Sequence, residues 1–561
     1  MHMPSSKVKP PQSGFGDAES YAQGWSRTIV SRRVGVCLSV LFCGGLLAVP
    51  VADGLLGSWR EPALKAKDGF LRIIRCFSSQ DFRWSAVVGA NNEALATIKE
   101  FETSLEDSSA IAAALRPSAL DYLLCMGRAG SEEAYVGQDG WLFYRPDVDA
   151  LVMHASGDNE AAAGIVDFAA QLAARGIRLV IVPVPGKASI HPEKLGANSA
   201  NFGSPPISPV LDGLAKNLAV AWKDKSIGDP SLAPSILDPT ELLWRRKMDT
   251  GKDQFLKTDS HWSPDAMQAV AEVVAESVSR PDSSYAIGAL STRPRDVSAL
   301  GDTALMLKLP EDSPLLVRQT VTIESIEDKE SKSWRPDRNS SVLVLGDSYT
   351  NIYSSEDLGW GGSSGFAEHL SRFLGYNVDK LARNDSGAKS ARDMVRTEAA
   401  RNPGWLDRKK VLVWVMAARE FVRGDWSHVN LEEGKAPVAG SRFFVVPPGQ
   451  PREVEARIVS HGPLPVAGNS PYADYLTAVH LTDLRDAVSR QAIDGDALAY
   501  LCTMRDHRVI SSPDMVEGAY IRLRLSNYEE NADKLDPLNR GEIDDVEVMM
   551  EEPNFAEWTS P

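Results

Sequence analysis

Ser340-Ser341-Val342-Leu343-Val344-Leu345-Gly346-Asp347-Ser348-Tyr349-Thr350 is the stretch on which the reading of this chain turns. Val342 to Leu345 are four aliphatic residues in a row without helical spacing. They predict a strand buried on both faces, as in a parallel sheet. The strand runs into Gly346-Asp347-Ser348, where glycine permits a tight turn that delivers a serine to the carboxyl end. In open α/β sheets that end is where ligands bind. A serine hydroxyl is a weak nucleophile until a base stands within hydrogen-bond reach. Thr258-Asp259-Ser260-His261-Trp262, far upstream, offers one. In an extended segment, residues two apart project to the same side. Asp259 can then fix the imidazole tautomer of His261 while the other ring nitrogen takes the serine proton. The expectation is an Asp259–His261–Ser348 triad, in which Ser348 attacks an ester carbonyl and carries the acyl group.

Asp-x-His and Gly-Asp-Ser are each weak signals alone; a serine at a strand end in an α/β pattern makes them one site. Asp259, His261 and Asp347 form a rival metal set, but no further His or Cys cluster completes a shell, so neither metal nor cofactor is expected. The oxyanion of a tetrahedral intermediate needs donors. The Ser348 N–H is one candidate. Asn384-Asp385-Ser386-Gly387, after another strand, offers Asn384 or the Gly387 backbone, although the same loop reads equally as a turn capping the next helix. Arg419, past the strand Val411–Met416, is a candidate to bind a carboxylate or orient the site. Lys187, in the loop after Arg178–Pro183, is a candidate to face it, with a surface lysine as the alternative.

Outward from the site, strands and helices alternate. Ala161–Arg175 is helical and stops at Gly176; Ile177–Pro185 is a buried strand; Pro209–Lys223, Ile236–Lys247 and the Ser263-capped segment to Ser279 are helices. Past Ser348 come a helix over Gly365–Leu374, a strand over Tyr376–Leu381 and a helix to Ala400. Alternation of this kind gives a parallel sheet flanked by helices. Asp139-Gly140 reads as a turn before the aromatic strand Trp141-Leu142-Phe143-Tyr144, and 280–335 as an insertion.

The expected organisation is a disordered cytoplasmic tail (1–33), a transmembrane anchor (34–52), a helical connection (53–130), an α/β catalytic domain (131–430), a small β-rich domain (437–541) and a solvated acidic tail (542–561). The connection has candidate helices at Asn91–Leu105 and Ser118–Leu124. The β-rich domain has strands at Arg442–Val446, Glu453–Val459, Ala497–Met504 and Tyr520–Ser526. The uncharged run 34–52 is long enough to span a bilayer. Arg27, Arg32 and Arg33 before it put the N-terminus in the cytoplasm and the body outside. A cleaved signal peptide competes, but Pro50 disturbs the cleavage candidate Pro50-Val51-Ala52, which favours the anchor.

The 561 residues are too many for one core, and 43% hydrophobic with 24% charged residues is an ordinary globular composition. A net charge of −16 argues against a nucleic-acid partner and requires a local basic groove for any acidic polymer. The five cysteines have no metal spacing; a Cys76–Cys125 disulfide and buried free thiols are both open readings.

Gly346-Asp347-Ser348 resembles the first block of the SGNH hydrolases, although here the acid–base pair is Asp-x-His and precedes the serine. That order, with Asp139–Phe143, Val182-Pro183-Val184-Pro185-Gly186-Lys187-Ala188 and Thr258–Trp262, resembles the alginate O-acetyltransferase group of AlgJ/AlgX-like proteins over roughly residues 130–425. The resemblance implies an SGNH-like fold, with Asp259, His261 and Ser348 in the places of the triad. It also implies O-acetylation of an exported polysaccharide at the outer face of the inner membrane, with acetyl groups handed over by a membrane-bound O-acyltransferase. A carbohydrate acetylesterase and a non-catalytic glycan-binding subunit of a secretion complex are the alternatives. Residues 437–561 are not matched to a carbohydrate-binding module, so the resemblance supports only a polysaccharide acceptor.

Overall fold

The computed structural model describes residues 51–76, part of 94–122, and 130–559 except 153–157, 197–208, 225–228, 279–289, 310–312, 314–315, 385, 433–442, 466–471, 507, 511–514 and 544. It divides into two units, 1–119 and 120–561. In the first, helix α1 (Arg60–Cys76) is the main described element. The expected span 34–52 lies outside the described residues but for Val51 and Ala52, as do most of Ser118–Leu124 and part of Asn91–Leu105. Among the described residues no helix is long and apolar enough to cross a membrane. Cys37, Cys43 and Cys125 also lie outside them; Cys502 is a buried free thiol.

The second unit opens on an antiparallel pair, β1 (Ala134–Val136) and β2 (Leu142–Tyr144). The turn between them needs positive φ at Asp139 and Gly140, which Asp-Gly tolerates. Helix α2 (Asp158–Ala173) then leads to β3 (Arg178–Val184), α3 (Pro209–Asp224), β4 (Ser235–Ile236), α4 (Thr240–Thr250) and α5 (Pro264–Ser277). The 280–335 segment, read as an insertion, has regular structure among its described residues. It carries an antiparallel ribbon, β5 (Ser291–Ala299) and β6 (Gln319–Glu327), whose Ile323 and Ile326 join the core. β7 (Val342–Gly346), α6 (Phe366–Leu374), β8 (Asp379–Ala382), α7 (Ala388–Arg401) and β9 (Val411–Ala417) complete the α/β part.

Strands β3, β4, β7, β8 and β9 form one parallel sheet in the order β4-β3-β9-β7-β8. Successive residues feed opposite faces. Val342, Val344, Val180, Val182 and Val413 pack on one side with α5 and α6; Leu343, Leu345, Leu179, Ile181 and Trp414 pack on the other with α2, α3 and α7. A strand covered on both faces has no reason to alternate, which is why Val342–Leu345 is an unbroken aliphatic run.

Counted from β7, the strands visited are β7, β8, β9, β3 and β4, and the spatial order becomes 2-1-3-4-5, a doubly wound sheet. The chain enters that circuit at its fourth strand. The segment after β4 therefore precedes β7, the strand that leads to Ser348, in sequence while closing the same circuit in space. The winding reverses between β7 and β9, and their carboxyl ends flank the crevice where such sheets hold ligands.

The C-terminal strands are β10 (Arg452–His461), β11 (Tyr475–Asp486), β12 (Ala497–Arg505), β13 (Arg508–Val509), β14 (Tyr520–Asn527), β15 (Asn539–Gly541) and β16 (Asn554–Trp558). The ring β12-β16-β14-β10-β11 closes through the β11–β12 pairing into a barrel, with β13 and β15 added outside it. This corrects the reading of 542–561 as a solvated tail. β16 runs between β12 and β14 with Ala556 fully buried, and Val548, Met549 and Met550 before it are buried too. The acidic count hid apolar residues interleaved with the charges, and without β16 two barrel strands would expose open edges. The strand expected over Arg442–Val446 is, among the described residues, a single bridge at Phe443. The barrel meets the α/β part through Arg383–Glu542 (2.6 Å), Asn384 N–H to Pro537 O (3.1 Å) and the Arg401 guanidinium to Met549 O (2.8 Å).

Candidate active site

Asp347 follows β7 and caps the helical turn Ser348–Asn351, its Oδ1 accepting from the Tyr349 N–H (2.9 Å). Its Oδ2 accepts from the Ala417 N–H on β9 (3.1 Å). Asp347 thus ties the two strands together at the point where the winding reverses and fixes where Ser348 emerges. Gly346 is required by space: a Cβ there would lie 1.9 Å from Thr350 Oγ1 and 2.7 Å from Thr350 Cβ. Gly346→Ala is expected to destabilise the fold by about 1–3 kcal/mol through overpacking. It should also cost about 10²-fold in turnover by moving Ser348. Urea titration and a rate on the folded fraction separate the two effects.

Asp259 and His261 meet differently from the extended arrangement expected. Leu256 N–H bonds to His261 O (3.0 Å) beside a Phe255–Trp262 bridge, so the segment is a tight loop. The Asp259 carboxylate turns back to accept from the His261 N–H (3.0 Å), a local side-chain-to-backbone turn. The same Oδ1 lies 2.6 Å from His261 Nδ1, and His261 Nε2 lies 2.8 Å from Ser348 Oγ. The network assigns the proton to Nδ1 and leaves Nε2 to accept from the serine. All three side chains are buried.

Sequence reasoning missed several neighbours. Trp360 Nε1 donates to Asp259 Oδ2 (2.8 Å), and the Asp302 N–H donates to the same oxygen (2.9 Å). Tyr349, directly after Ser348, packs its ring 4.7 Å from that of His261 and donates its hydroxyl to Ser260 O (3.2 Å). Asp302 and Trp360 lie in stretches with no motif, and only packing identifies them. Burial alone would raise the Asp259 pKa, but the His261 charge and hydrogen bond, with two backbone N–H donors, hold it well below the usual carboxylate range. Burial would likewise depress His261; the Asp259 carboxylate, then Asp302 and Asp347, outweigh it and hold the imidazole above its ordinary value. A base must be neutral to accept a proton, so activity should fall as pH drops. The midpoint of the acid limb of kcat/KM is expected above the ordinary imidazole value of about 6.5.

The lower-ranked candidates separate. Lys187 is neither at the surface nor open to substrate. It is 2% exposed, with Nζ donating to Leu142 O (2.5 Å) and Lys257 O (3.2 Å). Burial lowers its pKa to about 7 against the pull of Asp259, Asp302, Asp147 and Asp253. Arg419 is taken up by a carboxylate of the chain itself, Asp147 (2.8 Å), and lies over the Tyr144 ring. Asn384 is buried, its Oδ1 accepting from Asn351 Nδ2 (3.1 Å) in the turn that carries Ser348. Gly387 is the N-cap of α7, where Glu420 Oε2 accepts the Ala388 N–H (2.9 Å), so this end of the loop acts as a helix cap.

Asp259, His261 and Asp302 bring possible ligand atoms within 4.8 Å of one another. Both Asp259 oxygens and both His261 nitrogens are already in hydrogen bonds, so a cation would have to break that network. The set fits proton transfer better. A cleft of about 460 Å³ lies at the seam with the barrel, where Arg383, Arg401 and Arg540 are balanced by Glu398, Asp536 and Glu542. Its lining is of mixed charge.

Residues 134–418 match the family described as the SGNH hydrolase-like domain of the acetyltransferase AlgX. The chain belongs to this family. A probable alginate O-acetylase AlgJ of Pseudomonas fluorescens is 27% identical over 365 residues, which cover 62% of this chain and 79% of the relative. Its namesake in Pseudomonas aeruginosa is 31% identical over 160 residues, covering 28% and 35%. Among solved structures, the O-acetyltransferase domain of Pseudomonas putida AlgJ has a TM-score of 0.38 at 22% identity, covering 53% of this chain and 95% of its own. AlgX of Pseudomonas aeruginosa has a TM-score of 0.39 at 16% identity, covering 70% and 90%. The family match ends near β9, so the barrel lies outside it.

Proposed function

We propose that this chain is an O-acetyltransferase of an exported, alginate-like polysaccharide, working through an acetyl ester on Ser348. The observation that carries the reading is the hydrogen-bonded line Asp259–His261–Ser348 at the reversal point of the sheet. The family membership and the probable alginate O-acetylases among the relatives supply acetyl transfer and the acceptor class.

His261 Nε2 takes the Ser348 proton as Oγ attacks the donor's acetyl carbonyl. The resulting imidazolium is held by Asp259, and collapse of the intermediate returns the proton to the departing alcohol. A sugar hydroxyl then gives its proton to His261 and takes the acetyl group, restoring Ser348. The Ser348 N–H and Asn384 are the proposed oxyanion donors, Asn384 because its amide is tied to the nucleophile's turn. Anchoring by 34–52, a body outside the inner membrane and a membrane-bound O-acyltransferase as donor complete the reading.

The test incubates the full chain in detergent with an acetyl ester donor and a uronic acid oligosaccharide, then maps acetyl groups by mass spectrometry. Acetyl on the Ser348 peptide, chased onto the oligosaccharide, is the expected result. Free acetate alone would make the chain an esterase. No donor turnover, with glycan binding intact, would make it a binding subunit.

A further inference from the structure

Asp302 opens a short helical turn, Asp302–Leu305, that docks on the loop carrying Asp259 and His261. Gly301 makes the approach possible, since a Cβ there would lie 2.1 Å from Thr258 O and 2.5 Å from Asp259 Cβ. The Ala304 N–H and the Thr303 hydroxyl both bond to Thr258 O (3.1 and 2.6 Å). So seated, Asp302 Oδ2 stands 3.6 Å from His261 Nδ1 with its side chain 14% exposed. The Ser260 hydroxyl donates to that oxygen, and the Ser260 N–H donates to Oδ1 (2.6 Å). Ser260 Oγ is itself 3.3 Å from His261 Nδ1. The imidazole therefore faces two carboxylates on its Nδ1 side, one bonded directly and one held beside it by the intervening serine.

We propose that Asp302 is a second acidic positioning residue, which acts through His261 by stabilising the imidazolium formed when Ser348 gives up its proton. The inference rests on the triad reading above and adds a residue to it. Two like charges this close are tolerated because the first is neutralised by His261, and because the second has backbone and hydroxyl donors of its own. Asp259, His261 and Ser260 face Asp302 from the loop, Lys187 from beyond β3, and Tyr349 from the nucleophile's turn; Asp347 acts on His261 from the end of β7. Burial and the Asp259 charge raise the Asp302 pKa to about 6, so the carboxylate is largely ionised at neutral pH. Ionised Asp302 favours protonated His261. Removing its charge must therefore lower the pH at which His261 becomes neutral and competent.

The experiment follows the rate at which phenylmethylsulfonyl fluoride labels Ser348, read by mass spectrometry across pH on the full chain in detergent. The serine oxygen bonds sulfur, the S–F bond breaks and His261 takes the proton, so the rate reports neutral His261 without any natural substrate. In Asp302→Asn the midpoint of the rate profile is expected to move down by about one pH unit. The plateau should fall several-fold because the base is weaker. Asp302→Glu, which keeps the charge, is expected to keep a midpoint near the wild type's. Asp302→Ser removes the charge with a smaller side chain and serves if the asparagine variant does not fold. A lower plateau with an unmoved midpoint in a folded, charge-free variant would overturn the proposal and leave Asp302 a structural residue. Failure of the wild type to label at Ser348 would instead overturn the triad, and this inference with it.

Discussion

Asp259→Asn is expected to lower turnover by about 10³- to 10⁴-fold, the scale on which loss of the orienting acid acts in a serine triad. The Asp259 carboxylate accepts from four donors: His261 N–H (3.0 Å), His261 Nδ1–H (2.6 Å), the Asp302 N–H (2.9 Å) and Trp360 Nε1–H (2.8 Å). An amide at the same place has one acceptor oxygen, so its NH₂ must confront donors that previously faced an anion. If the oxygen turns to Trp360 and Asp302, the NH₂ faces Nδ1 and favours the tautomer with its proton on Nε2, which cannot accept from Ser348. If it turns the other way, a buried indole N–H loses its partner, at about 1–3 kcal/mol. Either orientation disables the site or loosens its support. Single-turnover acetylation of Ser348 should fall by this factor while the far-UV spectrum is unchanged. A drop of less than tenfold would separate Asp259 from the chemistry.

The second large effect is on stability, at the opposite end of the sheet. Lys409 Nζ is buried and donates to Asp379 Oδ2 (2.7 Å), Arg338 O (2.9 Å) and Ser340 O (3.0 Å). Asp379 Oδ2 also accepts from Trp405 Nε1 (2.7 Å). The group ties the start of β8 to the approaches of β7 and β9. Lys409→Met keeps the length and removes the charge, leaving Asp379 buried beside Arg338 (3.5 Å) and two orphaned carbonyls. Breaking one side of a buried pair costs about 3–5 kcal/mol, a large part of the stability of an ordinary domain. The urea midpoint, followed by tryptophan fluorescence, should fall accordingly. Acetylation per folded molecule should stay at the wild-type level, because none of these groups touches Ser348. An unchanged midpoint would show that the pair contributes no net stability.

The two substitutions probe different kinds of information. Val342–Leu345 was legible as a buried parallel strand because burial on both faces leaves an unbroken aliphatic run. Ser263-Pro264 was legible as a helix start because a cap and a fixed φ act locally. Local chemistry also marked Asp259, His261 and Ser348, since an acid, an imidazole and a strand-end hydroxyl carry their reactivity with them. Asp302 and Trp360 were not legible. An aspartate at the start of a short turn and a tryptophan among glycines have no special local pattern, and their role arises only when Gly301 and the Ser348 turn bring them against Asp259. The burial of Lys187 was not legible for the same reason, because a lysine is polar in sequence whether or not a fold buries it on two carbonyls.

The amino-acid sequence by itself determined the alternation of strands and helices, the strand that leads to Ser348, and the residue types that meet there, an aspartate and a histidine. These follow from hydrophobic periodicity, turn residues and intrinsic reactivity, which act over a few residues. Only the tertiary structure decided that the chain enters its sheet at the fourth strand of the circuit, that Asp302 stands beside His261, and that the acidic C-terminal stretch supplies the strand closing the barrel. Those facts depend on pairings between segments far apart in the chain, and such pairings are fixed by the packing of the whole.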